Sequence, residues 1–109
     1  MNFKKEEQNQ RIEILLNTYD ALLGRVSPNV RLIQIDWGVN FYYIRAYFDR
    51  PTNNEDFDDF SAVSAEVIAS FPQVNDVKEE VIYSMKPLSE LPVLRELVFL
   101  RKGELDSSA

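Results

Sequence analysis

The 109-residue sequence contains neither cysteine nor histidine. Without cysteine there is no disulfide, no thiolate metal site and no thiol nucleophile. Without histidine the chain lacks the side chain that most often moves protons near neutral pH and most often ligates transition metals. Glycine is scarce as well, with only Gly24, Gly38 and Gly103, and none of the patterns GxxxxGK[ST], GxGxxG, GxSxG or HExxH occurs. A loop that cradles phosphate through closely approaching backbone is therefore excluded, and no cofactor is expected. No apolar run approaches the roughly 18 residues that a bilayer-spanning helix needs. The N-terminus MNFKKEEQNQ has no apolar signal-peptide core, so the chain reads as cytoplasmic, with no membrane partner. Positive charge is the minority, 12 Lys and Arg against 18 Asp and Glu for a net charge of −6. That balance repels nucleic acid and anionic lipid and favours a basic protein partner.

What is present is enough to fold. The chain is 45% hydrophobic with 7 Phe, 5 Tyr and 1 Trp, and its length matches one domain, 1–109, with a polar N-terminal extension (1–5) and a flexible C-terminal tail (103–109). The glycines and prolines separate six periodic segments. Residues 4–23 read as a helix, with Ile12, Leu15, Leu16, Tyr19, Leu22 and Leu23 at helical spacing and Gly24 placed as a left-handed cap. Residues 30–36 and 40–49, rich in β-branched and aromatic side chains, form a hairpin around Asp36-Trp37-Gly38-Val39. Residues 54–71 form a second helix on Phe57, Phe60, Ser64, Val67, Ile68 and Phe71. Residues 77–85 and 94–102 are strands, although 91–102 also fits a helical face through Leu91, Leu94, Leu97 and Val98. The order α-β-β-α-β-β predicts an α+β fold, a four-stranded antiparallel sheet with both helices on one face.

The most distinctive stretch is DRPTNNEDFDDF, residues 49–60, where Asp49, Glu55, Asp56, Asp58 and Asp59 surround the single base Arg50. Much of this acid belongs to a helix start: Thr52 and Glu55 have the capping-box spacing, and carboxylates in a first turn complement the macrodipole. Asp58 and Asp59 point away from the Phe57/Phe60 face and have no such duty. A calcium loop would need a glycine at its sixth position, which NNEDFDD lacks, so no metal is expected. A two-carboxylate hydrolase built from Asp36 or Asp49 with Glu66 is conceivable, but nothing in their spacing makes them meet; no catalytic residue is assigned. In the second strand both alternating sets are apolar, Tyr42, Ile44, Ala46 and Phe48 on one face and Phe41, Tyr43 and Tyr47 on the other. Only one set can face the helices, so an open far face would display aromatics together with Trp37, as protein interfaces do. The same rings could instead lie under the 86–93 loop.

The segments YDALLGRVSPNVRLIQIDW (19–37) and VSAEVIASFP (63–72) resemble small acidic immunity proteins of bacterial contact-dependent or polymorphic toxin systems. The resemblance implies a cytoplasmic inhibitor that occludes a cognate toxin domain, often a basic nuclease. It carries over no functional residue, because immunity proteins share no common motif. The residues themselves leave two readings open: an inhibitory protein-binding module, or a non-catalytic homo-oligomeric housekeeping domain. Residues 36–66 hold seven acids against Arg45 and Arg50, a net −5 that accounts for most of the whole chain's −6. The first reading therefore expects a partner-binding surface of Asp49, Glu55, Asp56, Asp58 and Asp59 with Trp37 and Tyr43 as anchors. The second expects the aromatic face to be hidden in a homodimer.

Overall fold

A computed structural model describes residues 3–107. Helix α1 (Phe3–Leu22) leads into strands β1 (Val30–Trp37) and β2 (Phe41–Phe48), then helix α2 (Asn54–Ile68) and strand β3 (Asp76–Tyr83). A 3₁₀ turn at Leu88–Glu90, strand β4 (Glu96–Leu100) and a one-turn helix α3 (Glu104–Ser107) complete the chain. The six expected segments are all found, but the 3₁₀ turn and α3 change the expected order of helical elements. The last segment is a strand from Glu96 and helical only in the turn that precedes it. The N-terminal extension expected through residue 5 is helical from Phe3 onward, and residues 1–2 lie outside the described residues.

Local chemistry explains the ends of these elements. Gly24, with φ of +79°, terminates α1 in the left-handed region that favours glycine. Gly38 opens the β1–β2 turn by donating its N–H to the Phe41 carbonyl at 3.1 Å. A Cβ there would come within 2.3 Å of Phe41 Cε1, so the ring occupies the space that a side chain would need. At α2 the capping box is formed by Asn53 and Asp56, one residue beyond the expected Thr52 and Glu55.

The sheet order is β3-β2-β1-β4. Strand β1 is antiparallel to both β2 and β4, but β2 and β3 run parallel, so the sheet is mixed and the all-antiparallel expectation is corrected. The reason lies in the connections. Helix α2 returns the chain along the sheet between β2 and β3, the crossover that a parallel pair requires. Strands β3 and β4 then occupy opposite edges instead of forming a hairpin, and residues 84–95 cross the open face between them. There Leu91, Leu88 and Ile82 pack on Leu32 and Tyr47.

The main core lies between the sheet and the two long helices. Ile33, Ile35 and Trp37 of β1 and Tyr42, Ile44, Ala46 and Phe48 of β2 face Ile14, Ala21 and Leu22 of α1 and Phe60, Val63 and Val67 of α2. Full burial of each large aliphatic or aromatic side chain contributes about 1.5–3 kcal/mol. Phe48 meets Phe60 edge-on, with centroids 6.1 Å apart. The buried Tyr42 hydroxyl and Thr18 hydroxyl hydrogen-bond at 2.9 Å, and burial pushes the Tyr42 phenol well above its usual range. The face of α1 that enters this core overlaps the expected one at Leu22, which is buried, and Leu15, which packs against the core, but is rotated from it elsewhere. Ile14, Thr18, Ala21 and Leu22 are buried, whereas Ile12, Leu16, Tyr19 and Leu23 are exposed. On α2, Phe57 is likewise exposed and Val63 takes a core position.

Candidate functional site: the acidic start of the second helix

The acids of residues 49–60 divide into two groups with different surroundings. Asp56 is buried. Its carboxylate accepts both Arg50 Nη1 and Nη2, at 2.6 and 3.0 Å. It also accepts the Asn53 backbone N–H at 3.0 Å, while its own N–H donates to Asn53 Oδ1 at 2.9 Å. The Arg50 guanidinium lies 5.4 Å from the Phe48 ring centroid, tying the helix cap to the end of β2. The Arg50 hydrogen bonds hold the Asp56 carboxyl below its ordinary range, with the Asn53 N–H adding to the effect.

Asp49 is engaged at the far end of β2. It accepts Arg101 Nη1 at 2.6 Å and Asn29 Nδ2 at 3.1 Å, and these bonds, Arg101 first, lower its pKa. Arg101 in turn donates to Glu104 at 2.9 Å. Glu104 is buried against Arg31, which donates to it from Nε and Nη2 at 3.0 and 2.7 Å and reaches the Ser84 carbonyl at 2.7 Å. Asp49, Arg101, Glu104 and Arg31 thus form a clamp that fastens α3 to β1 and to the end of β3. Where the sequence reads as a tail from residue 103, the structure places this anchor at Glu104. Its pKa is lowered, first by the Arg31 hydrogen bonds. The acidic surplus hides this clamp in the sequence: Arg31 and Glu104 are 73 residues apart.

The other three acids are placed differently. Glu55 and Asp58 are exposed and Asp59 is half-buried. None forms an ion pair among the described residues, so three carboxylates of one helix start face outward together.

The expected aromatic anchors are not beside them. Trp37 is buried on the helix-facing side of β1 under the Arg95 guanidinium, 4.0 Å from its ring centroid. Tyr43 projects from the opposite face, between Lys78 Nζ at 4.9 Å and Arg45 at 5.3 Å from the ring centroid. Its hydroxyl accepts Arg45 Nη2 at 2.7 Å, and Arg45 also pairs with Glu80 at 3.1 Å. Tyr43 therefore sits in cationic company, on the side of the sheet away from α2. The structure brings together Glu55, Asp58 and Asp59, gives Asp49 and Asp56 structural partners, and separates Trp37 and Tyr43 from both groups. Among the described residues no cluster of acids has the geometry of a metal site.

These features define a small acidic α+β protein whose helical layer carries unpaired carboxylates and whose buried charges are used to hold its own termini and caps. The sequence matches the MafI2 immunity protein family over residues 11–103, from the third turn of α1 to the residue before α3, and the chain belongs to that family. The comparison with curated proteins gives no match. No helix among the described residues is long and apolar enough to cross a membrane.

Proposed function

We propose that this protein is a toxin-neutralising immunity protein, which binds a cognate toxin domain of a polymorphic toxin system and blocks it by occlusion. The observation that carries this reading is the family match over residues 11–103, which takes in most of α1, the whole of α2 and all four strands. The physical properties agree with it. A net charge of −6 and the outward carboxylates of Glu55, Asp58 and Asp59 suit a toxin with a basic face, and such complementarity raises the association rate and rejects wrong partners. Occlusion needs no catalytic group, metal or cofactor in the inhibitor itself. The inhibitor acts where the toxin acts, which we take to be the cytoplasm.

The test is co-expression. The cognate toxin domain is induced in a heterologous host, with the protein present or absent. The expected outcome is growth arrest by the toxin alone, relief when the folded protein is co-produced, and a complex of the two that survives gel filtration. Arrest that persists while the folded protein accumulates in excess sinks the proposal.

A further inference from the structure

Helix α1 carries apolar residues on the side that the core does not use. Ile12, Leu16 and Tyr19, with Leu23 one residue past the helix end, follow one another at spacings of four, three and four, which at ~100° per residue continues one face about 60° wide. They lie roughly opposite Ile14, Thr18 and Ala21, which enter the core. Their exposures are 51%, 58%, 45% and 76%. A surface helix ordinarily turns one apolar stripe inward and charge outward. Here a second stripe faces solvent, and contiguous apolar surface of this kind marks an interaction site.

The surroundings of the stripe say what kind of partner fits. On one flank it continues into a groove of about 370 Å³ lined by Tyr19, Leu23, Val26, Val98 and Phe99, between the end of α1 and β4. On the other flank are the exposed carboxylates of Glu13 and Asp20. That flank faces α2, since Asn17, on the same side, accepts a hydrogen bond from Ser70 just beyond α2 at 3.1 Å. The outward acids Glu55, Asp58 and Asp59 lie on α2 itself. The helical layer thus presents an apolar strip bordered by acid.

A second copy of this chain is a poor occupant. In an antiparallel self-pairing the Glu13 and Asp20 flanks would oppose each other. Of the cations on or beside α1, Arg11 already pairs with Glu96 and Arg25 with Glu66. An apolar patch rimmed by base is the complementary surface.

We infer that the outer stripe of α1 is the anchoring surface for the toxin, seating apolar side chains of a basic face while Glu13, Asp20 and the α2 acids meet its cations. This rests on the reading of the protein as an immunity protein and adds the surface that reading lacks. It assigns the anchors to Leu16, Tyr19 and Leu23 in place of Trp37 and Tyr43, which the fold has placed elsewhere.

The probe is the cognate toxin domain of the co-expression test, with binding kinetics measured for wild type, for Leu16→Asn with Leu23→Asn, and for Val93→Asn. Val93 is an equally exposed apolar residue, 78% accessible, in the loop before β4. The stripe variants replace exposed side chains, so circular dichroism and the melting temperature should stay as in wild type. Their complex should dissociate about thirtyfold faster or more, the loss expected when buried anchors are removed, while Val93→Asn binds as wild type does. Wild-type affinity in the folded stripe variants would overturn the assignment and leave the immunity reading intact. A wild-type protein that sediments as a dimer, and becomes monomeric when the stripe is changed, would also overturn it by showing a second copy on that surface. Absence of any toxin binding by wild type would remove both.

Discussion

Two sets of carboxylates in this protein have opposite fates. Asp49, Asp56 and Glu104 are each held by arginine, at 2.6, 2.6 and 2.7 Å respectively. Glu55, Asp58 and Asp59 stand within ten residues of Asp49 and have no ion pair at all among the described residues. The first set stabilises the fold: it fixes the start of α2, the end of β2 and the seat of α3. The second is held by no arginine: Glu55 lies in the first turn of α2, where a carboxylate complements the macrodipole, and neighbouring like charges on a helix surface slightly oppose folding. Acid in one short stretch of sequence thus serves two ends, and the difference is whether the tertiary structure brings an arginine to it.

Breaking that contrast from the structural side should have the largest effect. Arg31→Met takes from the buried Glu104 its closest arginine, at 2.7 Å, and the loss of a buried partner of this kind costs roughly 3–5 kcal/mol. Urea denaturation should show it, and adding Glu104→Met should recover much of the loss, since two apolar side chains leave no buried charge. If Arg31→Met unfolds at the wild-type midpoint, the clamp has no structural weight.

Asp56→Ala removes the side-chain half of the capping box and the Arg50 bonds together, leaving the backbone N–H of residue 56 to the Asn53 side chain. The expected destabilisation is about 2 kcal/mol, at the upper end for caps, again read from the denaturation midpoint. Asp58→Ala, on the same helix turn, should change stability by less than about 0.5 kcal/mol.

Acid titration separates the sets without mutation. Asp49, Asp56 and Glu104 have folded-state pKa values below their ordinary 3.8, 3.8 and 4.5. A carboxyl depressed by folding stabilises the protein fully above its unfolded pKa and loses that contribution as pH falls through the folded value. Stability should therefore hold down to about pH 5 and fall progressively below about pH 4. Arg31→Met with Glu104→Met should fall less steeply, because one of the three depressed groups is gone. An equal slope in that variant would show that Glu104 does not contribute.

The smallest effect on stability should accompany a clear effect on binding. Asp58→Asn with Asp59→Asn should leave the melting temperature nearly unchanged and slow association with the toxin domain by about threefold to tenfold at low salt, with a weaker salt dependence. Equal association rates at low salt would assign these acids to solubility alone.

How far the sequence could be read follows from the range of each interaction. Helix and strand segments were legible because the 3.6- and 2-residue periods, the Gly24 cap and the prolines act over a few residues. The acidic helix start was legible for the same reason, though Asn53 and Asp56 rather than Thr52 and Glu55 close the box. Both candidates have suitable side chains, and Arg50, folding back on Asp56, favours the second. The face of α1 was legible only at Leu15 and Leu22, which meet the core as expected. Ile12, Leu15, Leu16, Tyr19, Leu22 and Leu23 make a plausible core face, and Ile14, Thr18 and Ala21 a weaker one. The outward stripe is misleading if it is built for a partner, because periodicity records that a face is apolar and not what covers it. Trp37 and Tyr43 were separated by the same limit: strand alternation assigns them to opposite faces only when the β1–β2 register, Asp36 opposite Tyr43 and Trp37 opposite Tyr42, is known.

By itself the sequence determined that this is a small acidic α+β domain without thiol or imidazole chemistry, six segments long, with surplus carboxylate at the start of its second helix. Only the tertiary structure decided that β2 and β3 run parallel, that β3 and β4 lie on opposite edges, and that Arg31 meets Glu104. Composition and local period act between near neighbours in the chain. Strand order and buried ion pairing depend on where the α2 crossover and the 84–95 loop return the chain, and a return over that distance leaves no period behind it.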